Sequence, residues 1–284
     1  MRLYRINIGM KEHCLFYVTI TVIASITLTG VQPGLANAQQ NNASMQPQGT
    51  SQSMATTNAT NMSIVLVHGN WVDGSSWSKV IPILQNAGHK VIAVQLPLHS
   101  LADDIATVKR AIGLIGGPVI LVGHSYGGFV ITNAAYNNPN VKGLVYIAAF
   151  APNEGQSLSR LGPHFPKGFL VVDSGGFISV NPAMFPQAFA QDIDPAQAKV
   201  MAATQKPTSQ SILAEKSGPP AWKQLPTWYQ VSENDHIIPP AAERMFAKQI
   251  NATTISLPSS HASPVSHPNE VAQLILNATK GSAR

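Results

Sequence analysis

The chain has 284 residues, of which 18 are lysine or arginine and 13 are aspartate or glutamate, so its formal net charge is +5 at pH 7. Beyond residue 38, Lys109–Arg110 is the only adjacent basic pair, which gives no support to nucleic-acid binding. The only cysteine, Cys14, lies near the N-terminus. The rest of the chain therefore cannot form a disulfide, and its stability must come from its core.

Residues 1–38 have the pattern of a secretory signal. Arg2, Arg5 and Lys11 form a basic segment, residues 14–28 are apolar and uncharged, and Ala36–Asn37–Ala38 supplies the small residues of a cleavage site. An uncleaved anchor helix is the alternative, but an apolar run nearer ~15 than ~20 residues is short for spanning a bilayer. We therefore expect cleavage near Ala38 and a periplasmic or secreted protein.

Residues 39–61 are rich in Gln, Asn, Ser and Thr and carry no charge. Such a segment buries too little apolar surface to offset its ordering entropy, so we expect a disordered linker. Residues 62–284 then form one folded domain.

Strand and helix patterns alternate in the first half of this domain. Predicted strands cover residues 63–67, 90–95, 119–122 and 141–149, and predicted helices cover residues 77–87, 100–115 and 129–136. This order predicts an α/β fold with a doubly wound, mostly parallel sheet.

A Gly-x-Ser-x-Gly motif, Gly123-His124-Ser125-Tyr126-Gly127, follows one of the apolar strands and precedes a helix. This is the context of a nucleophile elbow, in which a sharp strand-to-helix turn exposes a serine hydroxyl. Gly123 and Gly127 are required because a Cβ there would meet the neighbouring strand and helix. Ser125 is therefore the candidate nucleophile.

The alternation stops between about residues 151 and 225, where Pro, Gly and aromatic residues are frequent and only residues 195–204 and 208–216 have a helical pattern. A stretch this long without sheet signals is usually functional. We expect a small, mainly helical cap that shapes a substrate pocket, or aromatic residues that only hold the insertion together. Further strands are predicted at 227–231 and 253–257, with helices at 240–250 and 269–278.

A serine nucleophile needs a histidine base and an acid that orients it, and in this topology they follow in the order Ser, Asp or Glu, His. Asp235 lies just after a predicted strand, with Glu233 as the competitor; the Ile-Ile-Pro that follows favours Asp235. His261 follows the last strand and is favoured over His267, which leads into the final helix. No third ligand accompanies this histidine pair, so a metal site is not predicted.

The loop after the first strand is the candidate oxyanion hole. Its Asn70 amide and the Tyr126 amide are the predicted donors, while His68 and Gly69 are expected to support the loop. The residues assigned to the substrate pocket are Trp71, His124 and Phe150.

These motifs together resemble the α/β-hydrolase superfamily, and the sequence near Trp71 is similar to bacterial members of its esterase and hydroxynitrile-lyase group. The resemblance implies a cofactor-free serine hydrolase that acts on small-molecule esters through an acyl-enzyme. Hydroxynitrile lyases of this group carry a lysine and a threonine at the positions of Ala262 and Gly69, and dehalogenases carry an aspartate at the position of Ser125. Both activities are therefore disfavoured.

Several alternatives keep the same residues. A lactonase, an amidase or a cofactor-free perhydrolase would use the same three side chains. A binding protein that retains the hydrolase fold without catalysis is the alternative from another class, but it predicts a degraded set of catalytic residues.

Overall fold

The computed structural model describes residues 62–162 and 165–282. The expected signal and linker segments lie outside these ranges. Within them, no helix is both long enough and apolar enough to cross a membrane.

The central sheet consists of six parallel strands, β1 (Ser63–Val67), β2 (Val91–Ala93), β3 (Val119–His124), β4 (Val141–Ile147), β8 (Thr227–Ser232) and β9 (Thr253–Leu257). Their order in the sheet is β2-β1-β3-β4-β8-β9. Every residue of β1 and β3 is buried, as expected for parallel strands covered on both faces. The predicted α/β fold is confirmed.

Helices cover both faces of this sheet. They are α1 (Val80–Asn86), α2 (Leu101–Ile115), α3 (Tyr126–Ala134), α7 (Pro240–Gln249), α8 (Ser263–Ser266) and α9 (Pro268–Gly281). Because strand side chains alternate, Val65 and Val67 pack in the cluster that contains residues of α2 and α3, whereas Ile64 and Leu66 pack with residues of α1 and α9. The core therefore consists of two apolar layers, one on each side of the sheet.

Helix α2 shows how local signals set an element's ends. The Ser100 hydroxyl accepts a hydrogen bond from the Asp103 amide at 3.1 Å, which caps the first turn. The helix stops at Gly116, whose φ of 67° lies in the left-handed region.

The insertion between β4 and β8 contains a second sheet, which the sequence did not predict. Its helices are α4 (Leu158–Leu161), α5 (Phe185–Phe189) and α6 (Pro195–Ala203), and its antiparallel strands are β5 (Leu170–Val172), β6 (Phe177–Val180) and β7 (Thr208–Ser209). The predicted helix at 208–216 was wrong. Thr208 instead pairs with Ile178, and a 3₁₀ helix, Gln210–Ala214, follows.

Candidate active site

The carboxyl ends of the central strands hold the candidate catalytic residues. Asn70 follows β1, Ser125 follows β3, Asp235 follows β8 and His261 follows β9. Because the strands are parallel, these loops emerge from one edge of the sheet, where α/β folds bind their ligands.

Ser125 occupies the sharp turn between β3 and α3. Its φ of 54° and ψ of −122° form a strained conformation for a residue with a Cβ. Close packing dictates the flanking glycines: a Cβ on Gly123 would lie 2.5 Å from the Gly127 carbonyl carbon, and one on Gly127 would lie 2.4 Å from the Val67 carbonyl oxygen. The Ser125 amide donates to the Ile147 carbonyl at 3.1 Å, which fixes the turn to β4.

His261 and Asp235 form a fully buried pair. The His261 Nδ1 donates to the Asp235 Oδ2 at 2.5 Å, and both side chains are inaccessible to solvent. The other carboxylate oxygen of Asp235 accepts the amides of Ile237 at 2.6 Å and Ile238 at 2.8 Å. A hydrogen bond to a carboxylate places a proton on Nδ1, and in the neutral imidazole with this tautomer Nε2 has a lone pair that can accept a proton.

His124 connects this pair to the nucleophile turn. Its Nε2 donates to the His261 backbone carbonyl at 2.8 Å, and the two imidazole centroids lie 4.8 Å apart. The residue before Ser125 therefore holds the His261 loop. Within the described ranges, the buried His261 Nε2 makes no hydrogen bond, and in unliganded hydrolases its contact with the serine is often long.

The competing acid and base lie elsewhere. Glu233 is paired with Arg244, with 2.7 Å between its Oε1 and the guanidinium, and 35% of its side chain is exposed. The Nδ1 of His267 contacts the Ser266 hydroxyl at 2.9 Å. His236 is exposed, and its Nδ1 donates to the Gln187 carbonyl at 3.1 Å.

The loop after β1 lies directly against Ser125. A Cβ on Gly69 would be 2.6 Å from the Ser125 Cβ and 3.1 Å from its Oγ, so only glycine fits. His68 braces this loop: its Nδ1 donates to the Gly69 carbonyl at 2.8 Å, and its Nε2 accepts the Leu96 amide at 2.9 Å. Burial lowers the pKa of His68 to about 4, so this imidazole is neutral at pH 7.

A cavity of about 410 Å³ opens over Ser125. Two of the three predicted pocket residues, Trp71 and Phe150, line it together with Asn70. The rest of its wall, which the sequence did not single out, consists of Leu158, Ser159, Gly162, Phe165, Leu170, Leu213 and Ile237. Phe165 was visible in the sequence only as one of many aromatic residues of the insertion.

His124 and the Tyr126 ring do not line this cavity. His124 is 1% exposed, and its ring packs edge-on against Trp77 and Phe189, with 6.3 Å between centroids in each pair. The Tyr126 ring is equally buried, and its hydroxyl donates to the Asp104 Oδ2 at 2.8 Å. Both side chains thus support the turn from within the protein.

Within residues 62–162 and 165–282, no group of three or more His, Cys, Asp or Glu side chains is arranged to hold a metal ion.

Comparison with known proteins agrees with this architecture. Residues 64–274 match the model of the alpha/beta hydrolase family. The chain belongs to this family. It is 38% identical to a carbendazim-hydrolyzing esterase of Nocardioides sp. over 115 residues. This match covers 35% of this chain and 46% of that esterase. A pyrethroid hydrolase of Sphingobium wenxiniae is 27% identical over 240 residues, covering 75% of this chain and 85% of that enzyme.

Solved structures show the same fold. A pyrethroid hydrolase from Sphingobium faniae superimposes with a TM-score of 0.67 at 23% sequence identity, covering 78% of this chain and 98% of that one.

Proposed function

We propose that this hydrolase cleaves carboxylic esters of small molecules, with Ser125 as nucleophile, His261 as base and Asp235 as the acid that orients it. The observation that carries the proposal is the buried 2.5 Å contact between the His261 Nδ1 and Asp235. This contact fixes the tautomer in which Nε2 is the acceptor. His124, the residue before the nucleophile, is hydrogen-bonded to the backbone carbonyl of His261.

The reaction has two stages. The Ser125 Oγ attacks the ester carbonyl carbon while the His261 Nε2 takes the hydroxyl proton, and the Asp235 carboxylate stabilises the imidazolium. The tetrahedral intermediate collapses, its bond to the alkoxy oxygen breaks, and His261 gives the proton to the leaving alcohol. Water, deprotonated by the same Nε2, then attacks the acyl carbon. The bond from this carbon to the Ser125 Oγ breaks, His261 returns the proton to Oγ, and the carboxylic acid is released.

The backbone amides of Asn70 and Tyr126 are the proposed oxyanion donors. Gly69 brings the first loop into contact with Ser125, and Tyr126 is the first residue of α3. Amides at a helix N-terminus have no intrahelical acceptor, so they are available to an anion. The His68 hydrogen bonds hold the Asn70 loop in place.

The cavity favours neutral, largely apolar substrates. Apart from Ser125, its polar side chains are those of Asn70 and Ser159, and none of its described lining residues carries a charge. A charged group entering such a site loses its hydration without gaining a partner. The similarity to an esterase named for carbendazim and to a hydrolase named for pyrethroids supports the same substrate class.

A panel of substrates tests the proposal. We expect the wild type to hydrolyse neutral p-nitrophenyl and alkyl esters, and to hydrolyse them faster than matched esters that carry a free carboxylate. Ser125→Ala should abolish turnover, whereas Ser256→Ala, on an exposed position of β9, should retain it. Equal activity in the wild type and Ser125→Ala would overturn the proposal. Lactones and amides in the same panel distinguish the related activities that share this nucleophile.

We also propose that the protein is exported with cleavage near Ala38, as the basic and apolar pattern of residues 1–38 indicates. Cell fractionation followed by N-terminal sequencing tests this. A mature protein beginning at about residue 39 in the periplasm or medium is expected, and an intact N-terminus in the cytoplasm would contradict it.

A further inference from the structure

A second cavity, of about 190 Å³, has one lining residue in common with the cavity over Ser125. One of its walls is the segment from the β1 loop through the 3₁₀ helix Gly74–Trp77, another is cap helix α6, and Val265 of α8 completes it. Trp71 is the one residue that lines both cavities. Trp71 therefore lies between the nucleophile's cavity and the second one.

The conformation and surroundings of Trp71 are energetically unfavourable. Its φ of 66° lies in the left-handed region, which is strained for a bulky side chain. Its indole N–H is buried and has no hydrogen-bond partner within the described ranges. Such conformations persist where the surrounding structure enforces them, and they cluster at functional sites. Here the Phe165 ring packs edge-on against the indole, with 6.2 Å between centroids.

We propose that Trp71 is a specificity-determining residue that acts as a partition between the two cavities. It ends the cavity over Ser125 and so limits the length of the neutral acyl or alkyl chain that the enzyme accepts on that side. Removing the indole would join the two cavities and admit longer chains. This inference rests on the proposed role of Ser125 as the nucleophile.

The lining of the second cavity suits a neutral acyl or alkyl chain. Val72 and Met201 supply apolar surface, and Ser76 and Thr204 supply neutral hydroxyl groups. A neutral chain extending past position 71 meets such a wall without burying an unpaired charge. The one carboxylate there, Asp73, already accepts the Ser75 amide at 2.7 Å.

Two series of p-nitrophenyl and alkyl esters test the partition, one lengthened on the acyl side and one on the alcohol side. We expect Trp71→Ala to raise the ratio of kcat/KM for the long ester to that for the short one by about tenfold or more, in one series only. Trp71→Phe, which keeps an aromatic ring, should give a smaller increase. Val200→Trp fills the second cavity from an exposed position of α6, and in the Trp71→Ala background it should reverse the gain.

The outcomes separate the two proposals. If short esters are hydrolysed through Ser125 but the ratio is unchanged in both Trp71 variants, the partition is overturned and the proposed function stands. If wild-type Ser125 is not labelled by a short-chain fluorophosphonate, both are overturned. Should Trp71→Ala fail to fold by circular dichroism, Trp71→Phe decides, because an unchanged ratio in that variant also contradicts the partition.

Discussion

The hydroxyl of Tyr126, the residue after the nucleophile, donates a hydrogen bond to the buried Asp104 carboxylate at 2.8 Å. The other oxygen of Asp104 accepts the Leu98 amide at 2.9 Å, and the Leu98 carbonyl accepts the Ser209 amide of the cap at 2.8 Å. A continuous polar connection thus runs from the cap through α2 to the turn that presents Ser125.

Asp104 should make folding stability depend on pH. Burial raises the pKa of its carboxyl from 3.8 to about 6. Because the folded pKa exceeds the unfolded one, the stabilisation is fully present below pH 3.8 and is lost as pH rises through about 6. The measured quantity is the unfolding free energy of the wild type minus that of Asp104→Asn. We expect this difference to be larger at about pH 5 than at about pH 7.5, by roughly 1 kcal/mol.

Denaturant titrations of both proteins at several pH values measure this difference. Asp104→Asn is the reference for the wild type at each pH, because the two proteins share every other titrating group. A difference that does not change with pH would contradict a raised pKa at Asp104.

The assignment of the base predicts unequal effects of two histidine substitutions. His261→Ala should lower kcat for a short ester by about 10⁴- to 10⁶-fold, since it removes both the proton acceptor and the partner of Asp235. His267→Ala should change kcat by less than about threefold, because its contacts are to Ser266 and, at 3.8 Å, to Asp192. The reverse order would reassign the base.

The two acids after β8 give a matched pair of isosteric variants. Asp235→Asn should lower kcat by about 10⁴-fold, because the amide no longer holds the His261 proton on Nδ1. Glu233→Gln weakens a partly exposed ion pair with Arg244 and a hydrogen bond with Ser256, and such surface pairs contribute less than about 1 kcal/mol to stability. This variant should therefore leave kcat nearly unchanged. Steady-state kinetics measure both, and comparable losses would show that the orienting acid has been misassigned.

Two glycine substitutions should change stability in opposite directions. Gly127→Ala forces its Cβ to within 2.4 Å of the Val67 carbonyl oxygen, which neither backbone can avoid, and should cost at least about 2–3 kcal/mol. Gly113→Ala lies within α2, where a Cβ meets nothing within 4 Å, and should stabilise the fold by about 0.5–1 kcal/mol. Thermal unfolding compares them, and a tolerated Gly127→Ala would contradict the packing of the turn.

Local signals explain which parts of the fold were predictable from sequence. Helix α2 was predicted to its last residue, because the Ser100 cap and Gly116 act within one helical turn. Strand β7 was missed, because Thr208 pairs with Ile178, thirty positions earlier in the chain. No local pattern contains such a pairing.

The same distinction applies to the candidate site. Ser125, Asp235 and His261 follow strands, and the order of elements brings those loops together. His124 was expected in the pocket, yet its ring lies in the interior against Trp77. Phe165 and Leu213 reach the cavity through the folding of the cap, so their place depends on tertiary contacts alone.

The most direct test of Ser125 as the nucleophile is mass spectrometry of the protein after reaction with a fluorophosphonate. We predict a single adduct on the peptide that contains Ser125, loss of ester hydrolysis in proportion to the adduct, and no adduct in Ser125→Ala. Ester hydrolysis that persists while Ser125 is fully modified would contradict the assignment of this serine as the nucleophile.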